Sequence, residues 1–259
     1  MSIYVGVPVY NGEKTLKNVI NRIPDKLVDY LILVNDGSID NTALVISDCA
    51  NKFKFKFKKI VQLHHNKNRG YGAAQKTIYS NFLKISNKRD ILVLLHADGQ
   101  TLPEEISILL KKFSNTDAEI VLGSRALWYK TNKQNLSIKS RKMPYYKKIG
   151  DKILTFLQNK AFGMNLSTFT SGYRAFTKEA LRKLDYERLN NSHAFDSEIL
   201  VEAKLKNIKL KEVPVYPFYS DEVSNFSLLN YIRDVFKLIG FYNKSRHNNK
   251  KTIKHRSKI

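Results

Sequence analysis

Apolar positions along the chain fall into short runs separated by longer stretches with helical spacing. Residues 3–9, 30–34, 60–63, 91–95 and 119–123 read as strands. Near-continuous apolar runs of this kind fit strands covered on both faces, as in a parallel sheet. Between them, Leu16, Val19, Ile20 and Ile23 recur at helical spacing, as do Ala43, Leu44, Ile46 and Ala50. A further helix is predicted over residues 73–83, and Pro103 opens another with Ile106, Leu109 and Leu110 on one face. The alternation predicts an α/β fold, a mainly parallel central sheet flanked by helices.

The second half continues the pattern less regularly. Ile149, Ile153, Phe156, Leu157 and Ala161 mark one helix, another is expected around residues 178–184, and residues 193–198 lead into a further helix running to about Leu205. A last strand is predicted at 209–215. Residues 126–145 are polar and basic and read as a loop. At 53–59 the segment FKFKFKK alternates strictly. It suits either an amphipathic strand touching lipid or a helix end running into the next strand.

A catalytic-size domain is expected over residues 1–220, followed by an amphipathic helix and basic tail over 221–259. Leu228, Leu229, Ile232, Val235, Phe236 and Ile239 would line one side of that helix, opposite Arg233, Asp234 and Lys237. Residues 244–259 hold seven Lys or Arg and no acidic residue. Such a tail suits an anionic membrane surface. The alternative is a helix packed on the core with a solvated tail.

Composition narrows the class. With 259 residues, 42% of them hydrophobic, the chain can build a large core, which excludes a mostly disordered protein. A net charge of +22 points to a polyanionic partner, whether nucleic acid, anionic membrane or phosphorylated substrate. A nucleic-acid arm fits less well, because the basic tail lacks interleaved aromatics. Cys49 is the only cysteine, which excludes an intrachain disulfide and a cysteine metal site. The N-terminus has no signal-peptide pattern and no window is long and apolar enough to span a bilayer. A cytoplasmic protein, peripheral at the membrane face, is the expectation.

Candidate chemistry sits where the strands stop. The run ILVLL at 91–95 ends at His96, Ala97, Asp98, Gly99 and Gln100. Polar turns at 8–13, 35–41, 96–100 and 123–125 also follow strand ends, so a parallel sheet would gather all four on one edge. Ligands of open α/β sheets bind at that edge. A carboxylate there, followed by a glycine that lets the backbone approach, can hold a divalent cation against phosphate oxygens. As a bare turn former, Asp98 would do no chemistry.

Eight stretches appear together in one order: VPVYNGE (7–13), VNDGSIDNT (34–42), NRGYGAAQK (68–76), LLHADGQ (94–100), VLGSR (121–125), SGYRAF (171–176), FDSEIL (195–200) and EVPV (212–215). They resemble the family 2 glycosyltransferases, in the branch of dolichyl-phosphate mannose and glucose synthases. The resemblance implies a GT-A fold, Rossmann-like, and inverting transfer of mannose or glucose. The donor would be a nucleotide sugar, GDP-mannose or UDP-glucose, and the acceptor a polyprenyl phosphate at the membrane surface. A hydroxyl acceptor on a polysaccharide or glycolipid is the other enzymatic reading, and a non-catalytic binding protein is a third.

By the same resemblance, Pro8, Tyr10 and Asp36 would bind the base and ribose, with Glu13 displaced from the usual pattern by Gly12. Asp98 and Gln100 would hold Mg²⁺ or Mn²⁺ on the diphosphate, and Arg125 would lie near the donor phosphates and sugar. Without that setting, Tyr10 is core packing, Asp36 a turn former and Arg125 a surface ion pair. His96 stands where the family usually has Asp. Beside Ala97 in the donor-lining turn, it can ligate a metal or hydrogen-bond the ribose or phosphate. Arg174, with Arg141 and Lys142 of the basic loop, would position an anionic acceptor. For a hydroxyl acceptor a base is needed, and Asp196 or Glu198 would supply it.

Overall fold

The computed structural model describes the backbone of residues 1–132, 145–218 and 228–256, and side chains over 1–132, 149–218 and 230–244. Among these, seven strands form one sheet: β1 (Ile3–Val9), β2 (Tyr30–Asn35), β3 (Lys59–His64), β4 (Ile91–Leu94), β5 (Ile120–Ser124), β6 (Arg174–Thr177) and β7 (Leu210–Pro214). Their order across the sheet is β3-β2-β1-β4-β6-β5-β7. β6 is antiparallel to both β4 and β5, while every other pairing is parallel. Six strands therefore point the same way, and the turns after β1, β2, β4 and β5 share one edge.

The helices are α1 (Leu16–Asn21), α2 (Thr42–Lys52), α3 (Tyr71–Ile85), α4 (Ile106–Asn115), α5 (Arg125–Thr131), α6 (Tyr145–Phe162), α7 (Lys178–Lys183), α8 (Phe195–Leu205) and α9 (Leu228–Arg256). Alternate strand residues divide between two layers, as strand geometry requires. Val5, Val7, Leu31, Leu33 and Val93 pack with Leu16, Ile20, Ile46 and Leu109. Tyr4, Ile32, Val34, Leu92 and Leu94 pack with Ile78, Phe82, Leu181 and Ile199 on the other face. Each fully buried Val, Leu or Ile contributes about 1.5–3 kcal/mol. α3 lies so close to β1 that a Cβ on Gly6 would come 2.4 Å from Ile78 Cγ2.

Four expectations are corrected or narrowed. β6 was not foreseen, and its antiparallel course puts Arg174 level with Leu94 and Leu122 at the ligand edge. Residues 125–131 are the helix α5 rather than loop, started by Ser124 Oγ, which accepts from Leu127 N at 3.0 Å. FKFKFKK is not an amphipathic strand but runs from a helix end into the next strand: Phe53 caps α2, residues 54–58 turn, and Lys59 begins β3. Phe53 and Phe57 are buried by that turn and Phe55 is left 91% exposed.

The fourth concerns α9. Its buried face is Tyr231, Val235, Leu238 and Tyr242, while Phe236 is 58% exposed. Tyr231 OH lies 2.7 Å from Ser197 Oγ of α8, and Tyr242 OH donates to Phe162 O of α6 at 3.1 Å. Of the expected face, Val235, Ile232 and Ile239 do pack inward, but two tyrosines with hydroxyl partners join them in place of Phe236. The side chains of Leu228, Leu229, Arg141, Lys142 and the basic tail lie outside the described residues.

Candidate functional site

Two strand-end turns, those after β1 and β2, are tied to one another at the ligand edge. Asn11, at φ 51°, donates its backbone N–H to Ser38 Oγ at 2.9 Å, and its Oδ1 accepts from Ile39 N at 3.0 Å. Gly12 N donates to Thr42 Oγ1 at 2.8 Å. Glu13 Oε2 accepts from Asn41 N at 2.8 Å, while Glu13 N donates to Asp40 Oδ2 at 3.2 Å. Burial pushes the Asp40 carboxyl up, but hydrogen bonds from Thr42 and Glu13 outweigh it and hold it below the usual value. Glu13 is therefore engaged in fixing the turn after β2. Tyr10 is 41% exposed beside it, and Pro8 is half-buried.

Asp36 is 3% exposed. Its Oδ1 accepts from Arg69 N at 3.0 Å and meets His65 Nδ1 at 2.6 Å, and its Oδ2 accepts from Gly70 N at 2.9 Å. His65 Nε2 continues to Thr77 Oγ1 at 2.9 Å. The carboxylate thus staples the start of α3 to the ends of β2 and β3. Gly70 has φ 98°, and a Cβ there would meet Asn191 O at 2.5 Å, so the close turn requires glycine.

The turn after β4 carries the candidate metal and donor groups. Asp98 is half-buried, and its Oδ1 accepts from Gln100 N at 2.9 Å. Gly99, at φ 73°, gives the turn its left-handed step. Gln100 Oε1 is 3.4 Å from Arg125 Nη1, which places the first residue of α5 against this turn. Ala97 is buried at its base. Among the described residues, no three His, Cys, Asp or Glu side chains converge as a closed metal site. The donor set is open: one carboxylate and one amide oxygen suit a hard cation that keeps waters and takes its remaining ligands from substrate phosphates.

His96 faces a different network. Its Nε2 lies 3.2 Å from Tyr71 OH, and Tyr71 OH donates to Asp196 Oδ2 at 3.0 Å. Burial, then the Asp196 charge, raises the Tyr71 hydroxyl well above its ordinary value, so it stays protonated and acts as a donor. A hydroxyl has one proton. With that proton on Asp196, His96 must donate its own Nε2–H to Tyr71. His193 stacks on Tyr71 at 5.0 Å between centroids, and burial lowers the His193 pKa against the pull of Asp196. Gly172 closes the cluster, since a Cβ there would lie 2.1 Å from His96 Nε2 and 2.3 Å from Tyr71 OH.

Arg174 does not face the open cleft. It is completely buried, with Nη2 donating to Asp196 O at 2.7 Å and Nη1 3.4 Å from Asp196 Oδ1. Its position below the site suits fixing Asp196 rather than touching an acceptor. Glu198 is buried too, and its Oε2 accepts from Asn190 N at 2.6 Å. The sequence reading missed Tyr71, His193 and Asp151. Asp151 of α6 accepts from Thr170 Oγ1 at 3.3 Å, and burial raises its pKa against the nearby Arg125 charge. Tyr71 sits inside the NRGYGAAQK stretch already singled out. Its role was invisible because Asp196 is 125 residues away.

The sheet is Rossmann-like, with an acid-bearing turn at the edge where open α/β sheets bind ligands. The chain belongs to glycosyl transferase family 2, whose family model matches residues 4–185, and it is a glycosyltransferase. It is 31% identical over 227 residues to a UDP-N-acetylglucosamine–dolichyl-phosphate N-acetylglucosaminyltransferase of Methanococcus voltae, covering 85% of this chain and 86% of that one. It is 32% identical over 230 residues to a dolichyl-phosphate beta-glucosyltransferase of Trichomonas vaginalis, covering 81% of this chain and 61% of the relative. The fold is similar to glucosyl-3-phosphoglycerate synthase from Mycobacterium tuberculosis, solved with Mn²⁺, UDP and phosphoglyceric acid. That match has TM-score 0.66 and 16% identity, covering 92% of this chain and 78% of the other. Those figures support the GT-A architecture that the motifs led us to expect.

Proposed function

We propose that the protein is an inverting transferase that moves one sugar, mannose or glucose in the first reading, from a nucleotide diphosphate to a polyprenyl phosphate. The observation that carries this is the state of the two carboxylates a hydroxyl acceptor would need as base. Asp196 is held by Tyr71 and Arg174, and Glu198 by Asn190. A phosphate acceptor is already anionic near neutral pH and needs positioning more than deprotonation. The relatives named for dolichyl-phosphate transfer support the same acceptor.

Asp98 and Gln100 are the residues that would hold Mg²⁺ or Mn²⁺, and a bound cation would stabilise charge on the departing nucleotide. Arg125 adds a fixed positive charge beside that turn. The knotted turns after β1 and β2 present Pro8 and Tyr10 to the base and ribose, with Asp36 keeping the wall rigid from behind. Asp98→Asn removes the carboxylate and should abolish metal-dependent donor binding while leaving the fold intact.

The test is transfer of labelled sugar to a polyprenyl phosphate with UDP-glucose, GDP-mannose and UDP-N-acetylglucosamine in turn, with Mg²⁺ or Mn²⁺. A lipid-linked product with one donor is the expected result. No lipid-linked product with any donor would reject the proposal. One observation favours a hydroxyl acceptor: Asp151, with its raised pKa, meets Thr170, which lines a pocket with His96, Gln100 and Arg125. Loss of turnover in Asp151→Asn with donor binding retained would support that second reading.

A further inference from the structure

α6 has two apolar sides. Its inner side is Leu154, Thr155, Gln158 and Phe162, all buried. At about 100° per residue, the opposite side carries Ile149, Ile153, Phe156 and Leu157. These four are 42%, 54%, 65% and 37% exposed. α9 lies alongside, since Leu154 packs with Tyr231 and Val235 and with the half-buried Ile232 and Ile239. Phe236, one turn beyond Ile232 on α9, is exposed as well. Large exposed side chains scattered singly need no explanation, but a contiguous stripe does.

Basic residues outnumber acids on both helices. α6 contains four lysines, of which Lys152 and Lys160 are exposed on the described side chains. Its single acid, Asp151, turns inward to Thr170. α9 contains eight Lys or Arg and one acid, Asp234. Apolar side chains bordered by lysines fit the boundary between headgroups and acyl chains of an anionic bilayer. Among the described residues no helix is long and apolar enough to cross a membrane, so any contact made here is with the surface.

The helix that carries the stripe also borders the candidate site. Asp151 links α6 to Thr170, and Thr170 lines a pocket with His96, Gln100 and Arg125. We propose that the outward face of α6, with Phe236 of α9, rests on an anionic lipid surface and so brings a membrane-held phosphate within reach of that pocket. The proposal builds on the polyprenyl-phosphate reading and names the surface that would serve it.

Vesicle co-sedimentation tests it, using the full chain with phosphatidylglycerol–phosphatidylcholine vesicles and with pure phosphatidylcholine. The wild type should pellet with the anionic vesicles and be released by high salt. The double variant Ile153→Asp, Phe156→Asp should partition at least tenfold less, and Ile153→Ser, Phe156→Ser should be weakened as well. Phe55→Asp, at an exposed aromatic in the turn between α2 and β3, should bind like the wild type. Stripe variants that pellet like the wild type, or a wild type that ignores anionic vesicles, would overturn the proposal. So would a wild-type dimer that the stripe variants split, since the stripe would then join two copies. Transfer to a short-chain, water-soluble polyprenyl phosphate without vesicles separates the two claims. Its absence in the wild type strikes the acceptor assignment, and its retention in variants that no longer bind vesicles confines the defect to docking.

Discussion

Tyr71 OH stands 3.0 Å from Asp196 Oδ2 and 3.2 Å from His96 Nε2, so a single phenol joins the turn after β4 to the first turn of α8. His96 belongs to the turn that holds Asp98 and Gln100, and Asp196 pairs with the buried Arg174.

Tyr71→Phe keeps the ring and removes the link. Loss of a hydrogen bond to a buried carboxylate costs about 1.5–3 kcal/mol. The expected result is a lower melting temperature and kcat reduced at least tenfold, with donor KM within twofold. Steady-state kinetics and thermal denaturation check it. A rise in donor KM with kcat unchanged would place Tyr71 at the nucleotide instead.

Gly172→Ala forces a methyl group into the His96–Tyr71 contact. A Cβ 2.1 Å from His96 Nε2 cannot be accommodated without moving the ring. Overpacking of this kind costs about 1–3 kcal/mol. The expected outcome is a destabilised protein with at least tenfold lower activity, whereas Gly150→Ala, where nothing lies within 4 Å, should behave as wild type. Both are read by melting temperature and initial rate.

His193 gives the pH dependence a sign. Burial is the largest influence and lowers its pKa from 6.5, with Asp196 opposing. The unfolded chain therefore takes up a proton before the folded one does. Stability from this group is complete above the unfolded value of 6.5 and is lost as pH falls towards the depressed folded value. His193→Phe keeps an aromatic against Tyr71 and removes the titration. The wild type should lose more melting temperature than His193→Phe between pH 7.5 and 5.5. Parallel losses would show that His193 titrates normally.

Asp36→Asn tests the wall of the proposed donor site. The carboxylate serves Arg69 N, Gly70 N and His65 at once, and an amide has a single accepting oxygen. A cost of about 1–3 kcal/mol is expected. Donor affinity should fall more than fivefold through loosening of the start of α3, as measured by calorimetry. Donor affinity equal to wild type would show that the staple is purely structural.

The edge that carries the site was legible because its strands are nearly pure apolar runs that stop at Asp, Asn and Gly. ILVLL followed by HADGQ is the clearest case. β6 was not legible, since four residues are too few for a period to show and its first is the arginine Arg174. That arginine is tolerated because Asp196 meets it inside the fold, a contact made across 22 residues of chain. The helical residues of α5 carry little apolar pattern, and the face of α9 was legible only in part because Tyr231 and Tyr242 count as core only once Ser197 and Phe162 supply their partners. Roles carried by residue type were readable, and roles assigned by a distant partner were not.

Acceptor preference is the most direct test of the central claim. Initial rates on a polyprenyl phosphate and on the matching polyprenol should be compared with the same labelled donor and metal. Transfer to the phosphate alone, abolished in Asp98→Asn and insensitive to Asp151→Asn, is the expected result. Equal or faster transfer to the alcohol, lost in Asp151→Asn, would contradict it.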